Sequence, residues 1–197
     1  MICCKVLFIF QFFKSSNAQL LRRVLAKVFP IEVDFLLLSI NWKKVNPDPT
    51  GVCFEAQLND HSFGVFKIKE RGLIYSFKLV LVSGKLSCSK YFPSSYWGCT
   101  HWSYWDKKLL TVITYPNKTA LPLAQYRGQS DACRFYSYKI HGVGVNSAEL
   151  LFNKLPSPVT VSPGQDEFHV WYGEALSNCG WEDNYGTACV DVYAWYA

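Results

Sequence analysis

No stretch of eighteen or more apolar residues occurs in this chain, so a membrane-spanning helix is not expected. Charge is equally sparse, with Asp, Glu, Lys and Arg making up 18% of the residues. The formal charge of +5 is concentrated near the start. Seven Lys or Arg against three acids precede Cys53, whereas thirteen against twelve follow. The body is therefore almost neutral and has no basic stripe of the kind that binds nucleic acid. Sequence signatures of catalysis are missing as well. There is no H-E-x-x-H pairing among His61, His101, His141 and His169, and hence no helical zinc site. There is no G-x-S-x-G elbow for a nucleophilic serine. Internal repeats and low-complexity tracts are also absent, and a distinct helical period appears only before the body begins.

Aromatic residues are abundant. They form 17% of the chain, including seven Trp and twelve Tyr, a content that excludes a disordered polar chain. At 197 residues the chain has room for one domain with a substantial core.

The first eighteen residues read as a secretory signal, with Lys5, the apolar run Val6–Phe13 and the small residues Ser16 and Ala18 at the peptidase positions. Residues 19–32 follow as an amphipathic, propeptide-like linker. In it Leu20, Leu21, Val24, Leu25 and Val28 recur at helical spacing until Pro30 stops the pattern. The same helix could lie on a membrane surface, although eleven residues make a marginal helix alone.

From residue 33 to 197 the alternation of apolar and polar residues becomes that of strands. The segments are Val33–Trp42, Phe63–Lys69, Leu73–Val82, Leu109–Thr114, Cys133–His141, Ala148–Asn153, Val159–Val161, Phe168–Tyr172 and Val190–Tyr196. Phe63–Lys69 and Leu73–Val82 flank Arg71-Gly72 and read as a hairpin. Phe168–Tyr172 and Val190–Tyr196 read as a closing pair around an acidic loop. Nine strands separated by regular turn signals indicate an all-β fold, an antiparallel, jelly-roll-like β-sandwich.

Six cysteines, at 53, 88, 99, 133, 179 and 189, lie in the body at wide spacing without a C-x-x-C pair. In a secreted chain that pattern is a disulfide framework. Six cysteines admit fifteen pairings. Joining near neighbours would link Cys88 to Cys99 and Cys179 to Cys189, leaving Cys53 for Cys133. Asn117-Lys118-Thr119 is an N-glycosylation sequon, which places Asn117 on the surface of a secreted protein.

Two segments carry candidate contact residues. Between Cys88 and Trp105 neither a strand nor a helical period is kept. Tyr96, Trp97, Trp102, Tyr104 and Trp105 either pack in the core or offer ring faces to sugars, with His101 as a hydrogen-bonding neighbour. Between Cys179 and Cys189, Glu182, Asp183 and Asn184 supply hard oxygens that suit calcium, although the spacing of an EF-hand loop is absent. A plain solvated acidic turn explains the same three residues. Calcium is the one candidate cofactor.

The stretches SINWKKVNPDPTGVCF, FGVFKIKERG, LVLVSGKLSC, YWGC, LLTVIT, VTVSPGQDEFHVWYGEAL and TACVDVYAWYA cover nearly everything from Leu38 onward. Together, with WYG and the C-terminal CVDVYAWY foremost, they resemble a secreted, β-rich invertebrate module of uncharacterised function. The resemblance implies an extracellular β module and supplies no catalytic residue. The expected function is a non-catalytic binding or matrix module meeting an extracellular glycan or protein. Carbohydrate is one ligand that such a module could take. A structural or adhesive role through exposed aromatics is the alternative.

Overall fold

The computed structural model describes residues 41–100, 108–121, 136–164 and 166–196. The leader, the amphipathic segment and most of the Val33–Trp42 strand lie outside the described residues, as do His101, Trp102, Tyr104, Trp105 and Cys133. The described residues fall in one compact unit that begins at Ile40. Among them no helix is long and apolar enough to cross a membrane.

The described residues hold ten strands and one short helix, in order β1 (Asn41–Lys44), β2 (Val52–Glu55), β3 (Phe63–Lys67), β4 (Gly72–Gly84), β5 (Thr111–Thr114), β6 (Ala120–Leu121), β7 (Glu149–Leu151), β8 (Val159–Val161), β9 (Glu167–Tyr172), α1 (Gly173–Ser177) and β10 (Thr187–Tyr196). They form two antiparallel sheets. The larger has β10 and β4 at its centre, with β1 and β2 sharing the far edge of β10 and β7 and β8 sharing that of β4. The smaller runs β3-β9-β5-β6. The all-β, antiparallel expectation therefore holds.

Strand alternation builds the core. In β10, Ala188, Val190, Val192, Ala194 and Tyr196 are buried, while Cys189, Asp191, Tyr193 and Trp195 are half-exposed on the opposite face. Phe77 of β4 meets Phe66 of β3 and Phe168 of β9 with ring centroids 5.9 and 5.5 Å apart. Phe66 and Phe168 stack at 5.6 Å. These three rings close a triangle between the sheets, where burial of each aromatic side chain removes roughly 150–250 Å² from water.

Three sequence expectations are corrected. Phe63–Lys69 and Leu73–Val82 do not form a hairpin: β3 pairs with β9 and β4 with β10, so the Arg71-Gly72 turn carries the chain between sheets. The closing strands are likewise divided, β9 in the smaller sheet and β10 in the larger. The described part of Cys133–His141 is turn and isolated bridges, Leu109 with Tyr138 and Ile140 with Val143. Alternation specifies faces but not partners, and that is why all three went astray. Strand β2, not foreseen, follows the Asn46–Gly51 turn, where Asp48 Oδ1 accepts from Thr50 N and Oγ1. Helix α1 opens on Gly173, whose position leaves a Cβ only 2.9 Å from that of Tyr136. It closes on left-handed Asn178, and Cys179 N donates to Glu174 O.

Candidate functional site

Beyond Gly84 the chain leaves β4 and forms a loop over residues 85–99, closed by the Cys88–Cys99 disulfide. The segment preceding β10, residues 178–186, packs along it. Ser87 and Tyr185 exchange backbone hydrogen bonds at 2.9 and 3.1 Å, Lys90 N donates to Asp183 O, and the Tyr185 and Ser94 hydroxyls are 3.0 Å apart. The structure thus brings the aromatic and acidic segments together at one end of the sandwich.

The anchoring of this end is internal. Ser95 Oγ donates to Gly98 O at 2.6 Å, and Leu86 and Ser95 pair through both backbone groups. Asn184 is buried and its Nδ2 donates to Ala56 O, tying the acidic segment to the residue after β2. Gly186, at φ +97°, allows the close pass over Lys85 O, where a Cβ would sit at 2.3 Å.

The outward surface of this frame presents Tyr91, which is 76% exposed, together with Tyr185, Glu182 and Asp183, and the Ser94 hydroxyl at its rim. Lys90 Nζ lies 5.2 Å from the Tyr91 ring centroid. Two tyrosine rings, a hydroxyl pair and two carboxylates can offer apolar faces and both kinds of hydrogen-bonding group to a polyhydroxylated ligand.

The candidate residues divide. Trp97 is fully buried, with its Nε1 donating to Ser147 O at 2.6 Å, so it is a core anchor. Tyr96 is half-buried under Lys85 Nζ. His101, Trp102, Tyr104 and Trp105 are outside the described residues. Glu182 and Asp183 face solvent while the Asn184 side chain turns inward, so the acidic triplet does not share one surface. Among the described residues no group of three His, Cys, Asp or Glu is placed to hold a metal ion. Asn117 occupies an exposed turn between β5 and β6 and its Oδ1 accepts from Thr119 N. Tyr91 and Tyr185 were missed because nothing in their local spacing distinguishes an exposed tyrosine from a packed one.

The disulfides also differ from near-neighbour pairing. Cys88–Cys99 is present, but Cys189 bonds to Cys53 across the β2–β10 register, with Cα atoms 4.0 Å apart. This excludes both Cys179–Cys189 and Cys53–Cys133. Cys179 is itself disulfide-bonded. All five described cysteines are thus in disulfides, which persist in oxidising compartments.

The chain is similar to AJLec, a lectin from the sea anemone Anthopleura japonica. Identity is 26% and the TM-score 0.67, with 80% of this chain and 98% of that chain covered. No protein-family model and no curated protein matches it.

Proposed function

We propose that this chain is a non-catalytic, extracellular carbohydrate-binding module and that the loop surface carrying Tyr91, Tyr185, Ser94, Glu182 and Asp183 is its glycan contact. The observation that carries this reading is the likeness to AJLec over 98% of that chain and 80% of this one. The disulfide-rich frame supports an extracellular setting. Recognition would work by C–H faces of a pyranose on the tyrosine rings and hydroxyl groups on Ser94 and the carboxylates. A calcium ion at Glu182 and Asp183 would add a direct link to vicinal hydroxyls, since calcium takes six to eight oxygens with flexible geometry.

The test is a glycan array probed with the secreted chain, with and without a chelator. Binding to a defined set of neutral glycans is expected. Tyr91→Ala and Tyr185→Ala, both at exposed positions, should each weaken that binding roughly two- to tenfold, the equivalent of ~0.5–1.5 kcal/mol per lost ring contact. Loss with chelator assigns the cation a role. An array silent in both conditions overturns the reading.

A further inference from the structure

Strand alternation turns every second residue of β1, β10, β4 and β7 away from the core, onto the outer face of the larger sheet. By register three rows cross that face. Asp191, Val80 and Glu149 form the first, and Lys44, Tyr193, Lys78 and Leu151 the second. Trp42 and Trp195 form the third, with the Tyr75 ring 5.7 Å from that of Trp195. Much of this surface is apolar and uncovered. Leu151 is 44% exposed, and Leu73, two residues before Tyr75, is 38% exposed. Val80 and the four rings are only half-buried, although Trp and Tyr usually find fuller cover. An exposed patch of this kind marks a contact surface.

The charges on the face cancel. Lys44, Lys78 and Lys154 stand against Asp191, Glu149 and Glu55, the last placed there by its register with Thr187. Lys44 pairs with Asp191 at 2.8 Å and Lys78 with Glu149 at 3.2 Å. A surplus of either sign would repel an identical surface. A balanced surface with its charges already paired can be covered by its own copy without stranding an ion. Lys154 Nζ lies 4.9 Å from the Tyr75 ring and 5.7 Å from that of Trp195, and its long stem lets the ammonium stay in water at the rim.

We infer that this face packs against the same face of a second copy of the chain, about a twofold axis that runs along the strands between β10 and β4. Such an axis keeps each row at its own height while it exchanges β10 with β4 and β1 with β7. Tyr193 then meets Lys78 of the second copy, repeating the cation–ring pairing that each copy makes within its own face at 5.0 Å. Trp195 meets Tyr75, and Lys44 meets Leu151 with Glu149 one row away. Every contact occurs twice, as an isologous interface requires, and the packing is that of two aligned sheets about 10 Å apart. The size of the face sets the strength. It measures roughly 27 Å along β10 from Thr187 to Trp195 and roughly 19 Å across four strands. Two such faces bury on the order of 1,000 Å², the least that a specific interface needs and short of the ~1,600 Å² of standard ones. The dimer is therefore weak and reversible. It does not depend on the loop surface or its ligand.

The experiment is sedimentation equilibrium of the full chain from micromolar to millimolar concentration. The mean mass should rise from that of one chain towards that of two. Leu151→Lys, at an exposed position, sets an ammonium against Lys44 of the second copy and should raise the dissociation constant about tenfold or more. Leu151→Glu removes the same leucine but faces Lys44 with a carboxylate, and should raise it less. Val65→Lys, equally exposed on the smaller sheet, should leave it unchanged. Circular dichroism checks that all three variants fold. A single chain at every concentration, equal dissociation constants for Leu151→Lys and Leu151→Glu, or the same loss from Val65→Lys would each overturn the proposal. So would Trp42→Ala abolishing glycan-array binding without changing the mass, which would give the ring row to a sugar instead.

Discussion

Trp97 lies in the segment richest in aromatics, yet the structure gives it no exposure and directs its indole N–H to Ser147 O. Truncation to Ala should cost about 3–5 kcal/mol, the range for a large buried aromatic, measured as a shift in urea midpoint. A loss under about 1 kcal/mol would mean that the ring is not a core anchor. Glu167 makes a different kind of contribution. Its carboxylate is hydrogen-bonded to His169 and then Lys67, and these hold its pKa below the ordinary 4.5. A depressed folded pKa adds stability that is fully present above the ordinary value and disappears as pH falls through the folded one. The stability gap between the native chain and Glu167→Gln should therefore be constant above about pH 5 and narrow below it. A gap that is independent of pH down to acid unfolding would contradict this. Neither residue could have been assigned from sequence, because burial and hydrogen-bond partners are properties of segments far apart in the chain.

Among the elements, β10 was the most legible. TACVDVYAWY alternates without interruption, and the residues its period puts on one face, Val190, Val192, Ala194 and Tyr196, are all buried. What alternation could not supply was its neighbours. β10 is held by β4 over nine registered pairs and by β1 and β2 on its other side, and the residue opposite Cys189 is Cys53. That disulfide joins residues 136 apart in sequence, so it restricts the unfolded chain far more than a local staple does. The Cys53→Ala/Cys189→Ala variant should lose about 2–5 kcal/mol of stability in chemical denaturation. A loss well under 1 kcal/mol would show that sheet packing alone fixes the β2–β10 edge.

For the molecule as a whole, the likeness to AJLec motivates the proposed glycan contact, and the Cys53–Cys189 and Cys88–Cys99 disulfides hold the frame that carries the loop surface. Glycan binding by the Tyr91→Ala and Tyr185→Ala variants tests that surface.

From sequence alone came the all-β class, the neutral body, the disulfide-bonded state and the alternation of β10, because strand period, charge and cysteine count are local or additive properties. The loop pairing of 85–99 with 178–186 was foreseen only as two separate segments. Which strands pair, which cysteines meet, and that Trp97 is buried while Tyr91 is exposed were decided by tertiary structure. Each of those depends on contacts between residues distant in the chain, and a period of two carries no information about what lies across the sheet.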